Sequence, residues 1–415
     1  MESFPLGLIV MKIATLTINL QSNYGNALQS LALQRFVADQ GFDTELVSHW
    51  STVDREEIRQ WHNYVSQSPV KLLIFALSCL TWTGKFCAFW KERRISKWIT
   101  NNLRWSLATA IAGKFPAEGF KYDAVVVGSD QVWNSGNPYV RFNLLPDFPE
   151  QTRRIAYAAS FNAGAFTDID HAYYLAAFSK FSGMSVRESS SVDLIRREFG
   201  ITPEHVCDPV LFYNADEWCS MLNIRRTRHQ RPYYMCYIVS PDGVKYYRRI
   251  LEIAKKSRKP VHVYAFDCNE ITLRGGGMPS VILRTIVMRL RLFFAGVRLH
   301  FAATPDEFIA RLADCDGLFT DSFHGLMFAT IFGRRCNVVI GENRDRIQMQ
   351  SKIMDFVRQL GDQAMVSDAF DENRLKKLQV NEYLLSFVSR SRDWLRKALG
   401  ACAAQPRRLS PSGVK

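Results

Sequence analysis

Residues 122–134 read YDAVVVGSDQVWN, and this stretch decides the fold class. Ala124–Val127 is an unbroken apolar run, mostly of β-branched residues, that ends at Gly128. β-branched residues favour strands, and an unbroken apolar run is typical of a strand buried on both faces, as in a parallel sheet. The stretch therefore predicts an α/β protein in which a polar segment follows a buried strand.

Strand-like and helix-like segments alternate on both sides of this stretch. Further strands are predicted at Lys12–Ile18, Thr44–Ser48, Arg154–Ala158, Gly183–Val186, around Val206, and at Tyr233–Val239, Val261–Phe266, Val297–Phe301, Gly317–Thr320 and Asn337–Ile340. Helices are predicted at residues 25–36, Ser190–Phe199, Val244–Ser257, Pro305–Ala313 and Gly325–Phe332. This alternation is typical of parallel α/β sheets, and its two series predict two Rossmann-like domains that face a cleft.

A polar, basic stretch at residues 225–232 separates the two series and is the predicted linker. A Gly-rich, basic insertion is predicted at Leu273–Arg291. The predicted units are an N-terminal Rossmann-like domain at 11–222 with a helical insertion at about 52–115, a C-terminal Rossmann-like domain at 223–345, C-terminal helices at 346–402, and a disordered basic tail at 403–415.

The 415 residues carry a net charge of +13 and are 47% hydrophobic, which excludes a disordered or fibrous chain. The positive charge fits nucleic acid, an anionic membrane or a small anionic substrate, but no RNA- or DNA-binding motif is present. The nine cysteines include no C-x-x-C pair and the histidines no H-x-x-x-H pair. We therefore expect no metal, no cofactor and no nucleic acid, and the oligomeric state stays open.

The N-terminal residues do not resemble a signal peptide, and Met11 is a second possible start, so we expect a cytoplasmic protein. The longest apolar stretch, Leu72–Trp82, is too short to span a bilayer. Basic residues follow it at Lys85, Lys91, Arg93, Arg94 and Lys97. The first interpretation is a buried helix, and the alternative is an interfacial helix in peripheral contact with an anionic membrane.

Ligands bind outside the carboxyl ends of strands in open parallel sheets, so the residues after each predicted strand are candidate site residues. After the first strand, Asn23, Gly25, Asn26 and Gln29 lie at the start of a helix, where backbone N–H groups favour an anion. The segment does not match G-x-G-x-x-G and does not predict a dinucleotide site. The alternative is that Asn23 only caps the helix.

Two more strand ends carry polar residues. Ser129, Asp130 and Gln131 follow the apolar run quoted first, and Asp130 can accept a proton or hold the hydroxyl groups of an acceptor. The alternative is that Ser129 or Asp130 is a helix cap. Arg187 follows another strand, where its guanidinium suits a carboxylate or a phosphate, and a salt bridge with Glu188 is the alternative.

The last candidate segment joins the strand Gly317–Thr320 to its helix. His324 is placed where backbone N–H groups point outward, so a histidine and an anion would meet there. Ser322 precedes it, and Gly325 removes bulk behind it. The alternative is a structural histidine.

Six segments in order carry a family resemblance. They are NYGNALQSLALQRF (23–36), YDAVVVGSDQVWN (122–134), RIAYAASF (154–161), SVRESSSVDLI (185–195), CDPVL (207–211) and TDSFHGLMFATIFG (320–333). Together they resemble the polysaccharide pyruvyl transferase family. Much of that family has Arg-Leu-His in the last motif, whereas this chain is similar to the branch with Ser-Phe-His-Gly. Arg344 and Arg346 are the candidates to replace the missing arginine.

The resemblance implies transfer of a pyruvyl group from phosphoenolpyruvate to a sugar of a surface polysaccharide or its lipid-linked precursor, with formation of a ketal, on a GT-B-like fold. His324 would protonate the donor or bind its phosphate, Asp130 would act as a base, and Arg187 with Arg346 would bind the two anionic groups of the donor. Phosphoenolpyruvate would be a substrate and no cofactor would be needed. The alternative is a nucleotide-sugar glycosyltransferase with the same architecture.

Overall fold

A computed structural model describes residues 10–18, 23–47, 84–106, 122–134, 140–145, 148–161, 168–225, 232–239, 243–265, 278–340 and 347–403. Within these ranges strands and helices alternate and build two sheets. Several predictions fall on residues outside the described ranges. These are most of the helical insertion at about 52–115, which includes the apolar stretch 72–82, most of the linker, Arg344, Arg346, and the tail from residue 404 onward.

The first sheet has six strands in the order β2-β1-β3-β4-β5-β6. Its strands are β1 (Lys12–Leu16), β2 (Asp43–Val47), β3 (Ala124–Val127), β4 (Arg153–Ala159), β5 (Gly183–Val186) and β6 (Glu204–His205). All neighbours pair in parallel, and every residue of β3 is buried. The buried parallel strand expected from the apolar run is therefore confirmed.

The second sheet has seven strands, six of them in the order β12-β11-β10-β7-β8-β9. They are β7 (Tyr234–Ile238), β8 (Val261–Ala265), β9 (Val297–His300), β10 (Gly317–Thr320), β11 (Arg335–Val339), β12 (Val366–Ser367) and β13 (Lys376–Lys377). All pairs are parallel except that between β13 and β11. Two parallel sheets of this kind confirm the predicted class, with two Rossmann-like units.

Helices connect the strands of both sheets. In the described part of the chain they are α1 (Tyr24–Asp39), α2 (Gly84–Asn102), α3 (Val140–Asn143), α4 (Asp168–Phe178), α5 (Ser189–Phe199), α6 (Ala215–Met221), α7 (Gly243–Ser257), α8 (Met278–Phe294), α9 (Pro305–Asp314), α10 (Phe323–Ile331), α11 (Ile347–Leu360) and α12 (Glu382–Ala403). None of them is long and apolar enough to cross a membrane.

Helix α1 joins the cores of the two sheets. It follows β1 of the first sheet, yet the ring of its first residue, Tyr24, stacks on Phe308 of α9 at 5.0 Å and lies 5.7 Å from Tyr237 of β7. Tyr24 is fully buried, and one continuous hydrophobic cluster contains residues of both sheets. The two sheets are therefore held together by apolar packing.

The C-terminal helix α12 packs against the first sheet although it follows the second in sequence. The backbone N–H of Cys207 donates to Ser391 Oγ of α12 at 2.9 Å, and the ring of Trp394 lies 6.2 Å from Tyr157 of β4. The end of the described chain thus returns to the first sheet and forms a second connection between the two units.

Two expectations need correction. The predicted insertion Leu273–Arg291 is in large part helix α8, because no glycine or proline follows Pro279 within it, and Pro279 itself lies in the first helical turn where proline is tolerated. The alternative of an interfacial helix depends on the five basic residues after Leu72–Trp82, and two of them contact the protein itself. Lys91 is buried with its ammonium 5.0 Å from the Tyr24 ring, and Arg94 pairs with Glu307 at 2.8 Å.

Candidate active site

The carboxyl ends of the two sheets meet at one buried cluster of charged side chains. Arg187 follows β5 and Asp130 follows β3 of the first sheet, while His324 follows β10 of the second. Helices α1, α5 and α10 all begin at this edge, so their positive N-terminal ends point towards the cluster. The structure therefore brings together the three residues that the sequence proposed as catalytic.

Arg187 is the centre of the cluster. Its buried guanidinium donates from Nε to Glu188 at 2.9 Å, from Nη1 to Asp208 at 2.8 Å and from Nη2 to Asp130 at 3.1 Å. Burial alone would lower the pKa of Arg187, but these three carboxylates outweigh it and raise that pKa. The predicted salt bridge with Glu188 is present, so Arg187 is a shared cation and not a free one.

Asp208 connects the cluster to the second sheet. Its Oδ2 accepts from Ser129 Oγ at 3.1 Å and lies 3.7 Å from Nε2 of His324. Burial would raise the pKa of this carboxyl group, but His324 and Arg187 lower it well below the usual range. Sequence reasoning missed Asp208, although an Asp before a Pro is a common helix cap and its Oδ1 does accept from the N–H of Val210.

His324 lies in the first turn of α10. Ser322 caps this helix by accepting from the N–H of Gly325 at 3.2 Å. The imidazole is buried and its Nε2 has no hydrogen-bond partner. On its other edge the ring touches Gly25 so closely that a Cβ there would overlap Cγ and Nδ1. A glycine at position 25 thus lets the start of α1 reach the histidine.

Gln29 and Ser129 use their polar groups within the protein. Gln29 Oε1 accepts from the N–H of Ser129 at 3.1 Å, and its Nε2 donates to Thr17 Oγ1. Gly128, which ends β3, has φ 125°, and a Cβ there would overlap the carbonyl oxygen of Tyr157. These contacts fix the turn after β3 and thereby position Asp130.

The remaining predicted residues differ in what they contact. Asn23 caps α1 by accepting from the N–H of Gly25 at 2.8 Å, as the alternative interpretation expected. Gln131 accepts from Asn134 within its own turn at 3.2 Å. Asn26 is buried, and its Oδ1 has no hydrogen-bond partner. Asn26 therefore has a buried polar atom that makes no hydrogen bond.

Asp130 is the least buried partner of Arg187, with a side chain 15% exposed against 7% for Glu188 and 0% for Asp208. Burial would raise the pKa of its carboxyl group, but Arg187, His324 and Lys352 together lower it. Asp130 is therefore ionised at neutral pH and can accept a hydrogen bond.

Lys352 of α11 is a site residue that the sequence did not indicate. Its buried Nζ has no hydrogen-bond partner and lies 3.8 Å from Glu188 Oε1. Burial lowers the pKa of this amine, and the carboxylate of Glu188 opposes that effect. No local signal could have revealed it, because a lysine within an amphipathic helix is usually a solvated residue.

A pocket opens beside the cluster, between the two units. Its lining includes Arg187, Glu188 and Asp208 from the first unit and Phe323, Lys352 and Asp355 from elements after β10. The ring of Phe323 covers the guanidinium of Arg187 at 4.7 Å. Within the described ranges no group of three His, Cys, Asp or Glu side chains could hold a metal ion. The pocket thus presents two cationic groups, Arg187 and Lys352, beside three carboxylates.

A family model described as polysaccharide pyruvyl transferase matches residues 23–343, which is more than half of the chain. A comparison with curated proteins finds no match. The matched range contains each of the proposed residues that precede Arg344, including those placed at the cluster. Lys352 and Arg346 lie just beyond it.

Three solved structures have similar folds. A UDP-GlcNAc 2-epimerase from Methanocaldococcus jannaschii is 10% identical with a TM-score of 0.47, covering 96% of this chain and 94% of that chain. The UDP-GlcNAc 2-epimerase from Neisseria meningitidis is 12% identical with a TM-score of 0.45, covering 94% and 100%. The pneumococcal O-GlcNAc transferase is 12% identical with a TM-score of 0.38, covering 68% and 57%. At these identities the family match is the finding that bears on function.

Proposed function

The chain belongs to the polysaccharide pyruvyl transferase family, and we propose that it transfers a pyruvyl group from phosphoenolpyruvate to a sugar of a surface polysaccharide or of its lipid-linked precursor, forming a ketal. One observation carries the proposal. The buried Nε2 of His324 and the buried Nζ of Lys352, both without a hydrogen-bond partner, lie 3.7 and 3.8 Å from carboxylates of the Arg187 cluster, and Lys352 also lines the pocket. Polar atoms that are buried without a hydrogen bond are costly unless a ligand supplies one.

The donor supplies the anions that these groups lack. Phosphoenolpyruvate carries a carboxylate and a phosphate close together, and Lys352 and Arg187 line the same pocket. The three carboxylates already bound by Arg187 limit what it can offer to a donor. We propose that the donor takes the place of Asp130, the most exposed of the three, on Nη2 of Arg187. Lys352 then serves as the second cation.

Displacement of Asp130 also prepares a base. The pKa of Asp130 is lowered mainly by Arg187, acting against burial. When the ion pair is exchanged for the donor, that pKa rises and the carboxylate becomes a stronger proton acceptor. Asp130 would then accept the proton of the attacking sugar hydroxyl. The backbone of Asp130 lies in the left-handed region, at φ 71°, so the chain does not continue as a regular strand at this residue.

His324 is the proposed proton donor. The carboxylate of Asp208 lies 3.7 Å from its Nε2. A proton added to the methylene carbon of phosphoenolpyruvate makes the neighbouring carbon electrophilic, and one sugar hydroxyl attacks that carbon. The second hydroxyl then forms its bond to the same carbon as the bond to the phosphate oxygen breaks. Two hydroxyl protons are lost in all. One offsets the proton that converts the methylene into a methyl group, and the other leaves with the phosphate.

Ligand-induced thermal stabilisation tests the donor. Phosphoenolpyruvate should raise the melting temperature, whereas UDP and CMP should not. His324→Ala and Lys352→Met should lose this stabilisation, while His171→Ala and the exposed Lys180→Met should keep it. Stabilisation by UDP but not by phosphoenolpyruvate would instead indicate a nucleotide-sugar glycosyltransferase.

A further inference from the structure

Helix α8 is apolar on two opposite faces. Met288 and Leu292 are buried in the cluster that covers one face of the second sheet. The outward side carries Ile286, Val287, Leu290, Phe293 and Phe294, with 36%, 40%, 50%, 56% and 80% of their surface exposed. At a helical repeat of 3.6 residues these positions form one stripe, opposite the buried one. A soluble surface helix normally has polar residues there.

The charged residues in the segment that contains this stripe are all basic. Between Glu270 and Asp306 the sequence contains five arginines and no acidic residue. Arg291 and Arg298 are exposed, and the guanidinium of Arg298 lies 4.7 Å from the Phe293 ring. Helix α7, which shares the same hydrophobic cluster, adds exposed Lys255 and Lys256 in its last turn. The one carboxylate in the sequences of α7 and α8 is Glu252, which pairs with Arg249 at 3.0 Å, so the charge of these two helices is mainly basic.

We propose that the outward face of α8 binds the surface of an anionic phospholipid bilayer. The apolar stripe would enter the boundary between headgroups and acyl chains, while the arginines and lysines around it contact lipid phosphates. The helix lies in the interface and does not cross the bilayer. This inference goes beyond the proposed reaction and does not depend on it.

A second copy of the chain fits the same face less well. In a two-fold symmetric dimer the same surface patch meets itself, so Arg291 and Arg298 would face their own counterparts. Between residues 271 and 305 no carboxylate is available to compensate them. An anionic lipid surface supplies that compensation and also covers the apolar side chains.

Vesicle sedimentation with the full chain tests the proposal. The native protein should sediment with vesicles of equal parts phosphatidylcholine and phosphatidylglycerol but not with phosphatidylcholine alone, and added salt should weaken binding. The double substitution Leu290→Ser and Phe294→Ser should lower the partition coefficient by about tenfold or more. Arg291→Gln should lower it by about fivefold on the anionic vesicles.

The matched control is Leu385→Ser on α12, where the leucine is 59% exposed in another part of the molecule. It should leave sedimentation unchanged. The proposal is wrong if the native protein does not sediment with anionic vesicles, or if the double variant binds as well as the native protein. A concentration-dependent dimer that the double variant abolishes, without vesicle binding, would assign the face to a second copy. Because sedimentation measures no turnover, a failure of the proposed reaction would not affect this result.

Discussion

At the scale of single residues, Asp208 holds the charge cluster together. It is fully buried and faces Arg187, Ser129 and His324. Asp208→Asn removes the carboxylate that faces both Arg187 and His324, while Arg187 keeps Glu188 and Asp130 as partners. Hydrogen bonds to charged groups contribute about 1.5–3 kcal/mol, so we expect a loss of about that size in the free energy of unfolding at neutral pH, measured by urea denaturation.

The same carboxylate predicts a pH dependence. The pKa of Asp208 is lower in the folded protein than in the unfolded chain, where it is about 3.9. Its contribution is therefore present above about pH 4 and is lost as the pH falls towards the folded pKa. The difference in unfolding free energy between the native protein and Asp208→Asn should shrink at about pH 3. An equal difference at both pH values would contradict this assignment.

We expect Lys352 to lower the stability of the folded protein and to contribute to the binding of phosphoenolpyruvate. Its charge is buried without a hydrogen bond, and Glu188 keeps its bonds to Arg187 at 2.9 Å and to Ser160 Oγ at 2.7 Å when the lysine is removed. Lys352→Met should therefore be neutral or stabilising by about 1 kcal/mol in urea denaturation. Affinity for phosphoenolpyruvate, measured by calorimetry, should fall by tenfold or more, at about 1.4 kcal/mol per factor of ten. A destabilised variant with native affinity would rule out the role proposed for Lys352.

Local sequence could indicate Arg187 and His324 but not their partners. Both follow predicted strands, and the rule that ligands lie at strand ends placed them correctly at one edge. Asp208 and Lys352 reach the cluster from segments far away in the chain, so their contacts depend on tertiary packing. For the same reason the sequence could not show that Arg187 is shared by three carboxylates.

At the scale of elements, the starts of α1 and α10 meet at Gly25 and His324. A Cβ at position 25 would overlap the imidazole, so Gly25→Ala must shift α1, α10 or the ring. We expect a loss of about 1–3 kcal/mol in unfolding free energy and a larger loss of phosphate release from phosphoenolpyruvate. The control is Gly400→Ala in α12, where a Cβ meets no atom within 4 Å. It should leave activity unchanged, and an equal effect of the two substitutions would refute the close contact.

Most strands could be predicted because their signal is local. The run Ala124–Val127 needs no information from elsewhere to be identified as a buried strand. The prediction for helix α8 was wrong because the nearby glycines and arginines indicated a loop. Its buried face is recognisable only from its packing against the second sheet. Helix α4 was not identified from sequence.

At the scale of the whole molecule, the two sheets share one core. The hydrophobic cluster that contains Tyr24 and Phe308 also contains strand residues of both sheets, and α12 packs on the first sheet. We therefore expect a single cooperative transition in differential scanning calorimetry, with equal calorimetric and van't Hoff enthalpies. Two separate transitions would mean that the units unfold independently.

The sequence predicted two α/β series but not how they pack. Alternation of strands and helices is a local property, whereas the burial of Tyr24 against the second sheet and the return of α12 depend on contacts between distant residues. The domain boundaries proposed from the sequence stay predictions, because one hydrophobic cluster contains residues from both sides of them.

The central claim is that this site transfers a pyruvyl group to a glycan. The most direct measurement is mass spectrometry of the surface polysaccharide from cells that carry the native gene, no gene, or the His324→Ala variant. We predict that the native gene alone yields sugars heavier by one pyruvyl ketal, because loss of a proton donor slows such a step by about 10²–10⁴-fold. An identical polysaccharide in all three strains would contradict the claim.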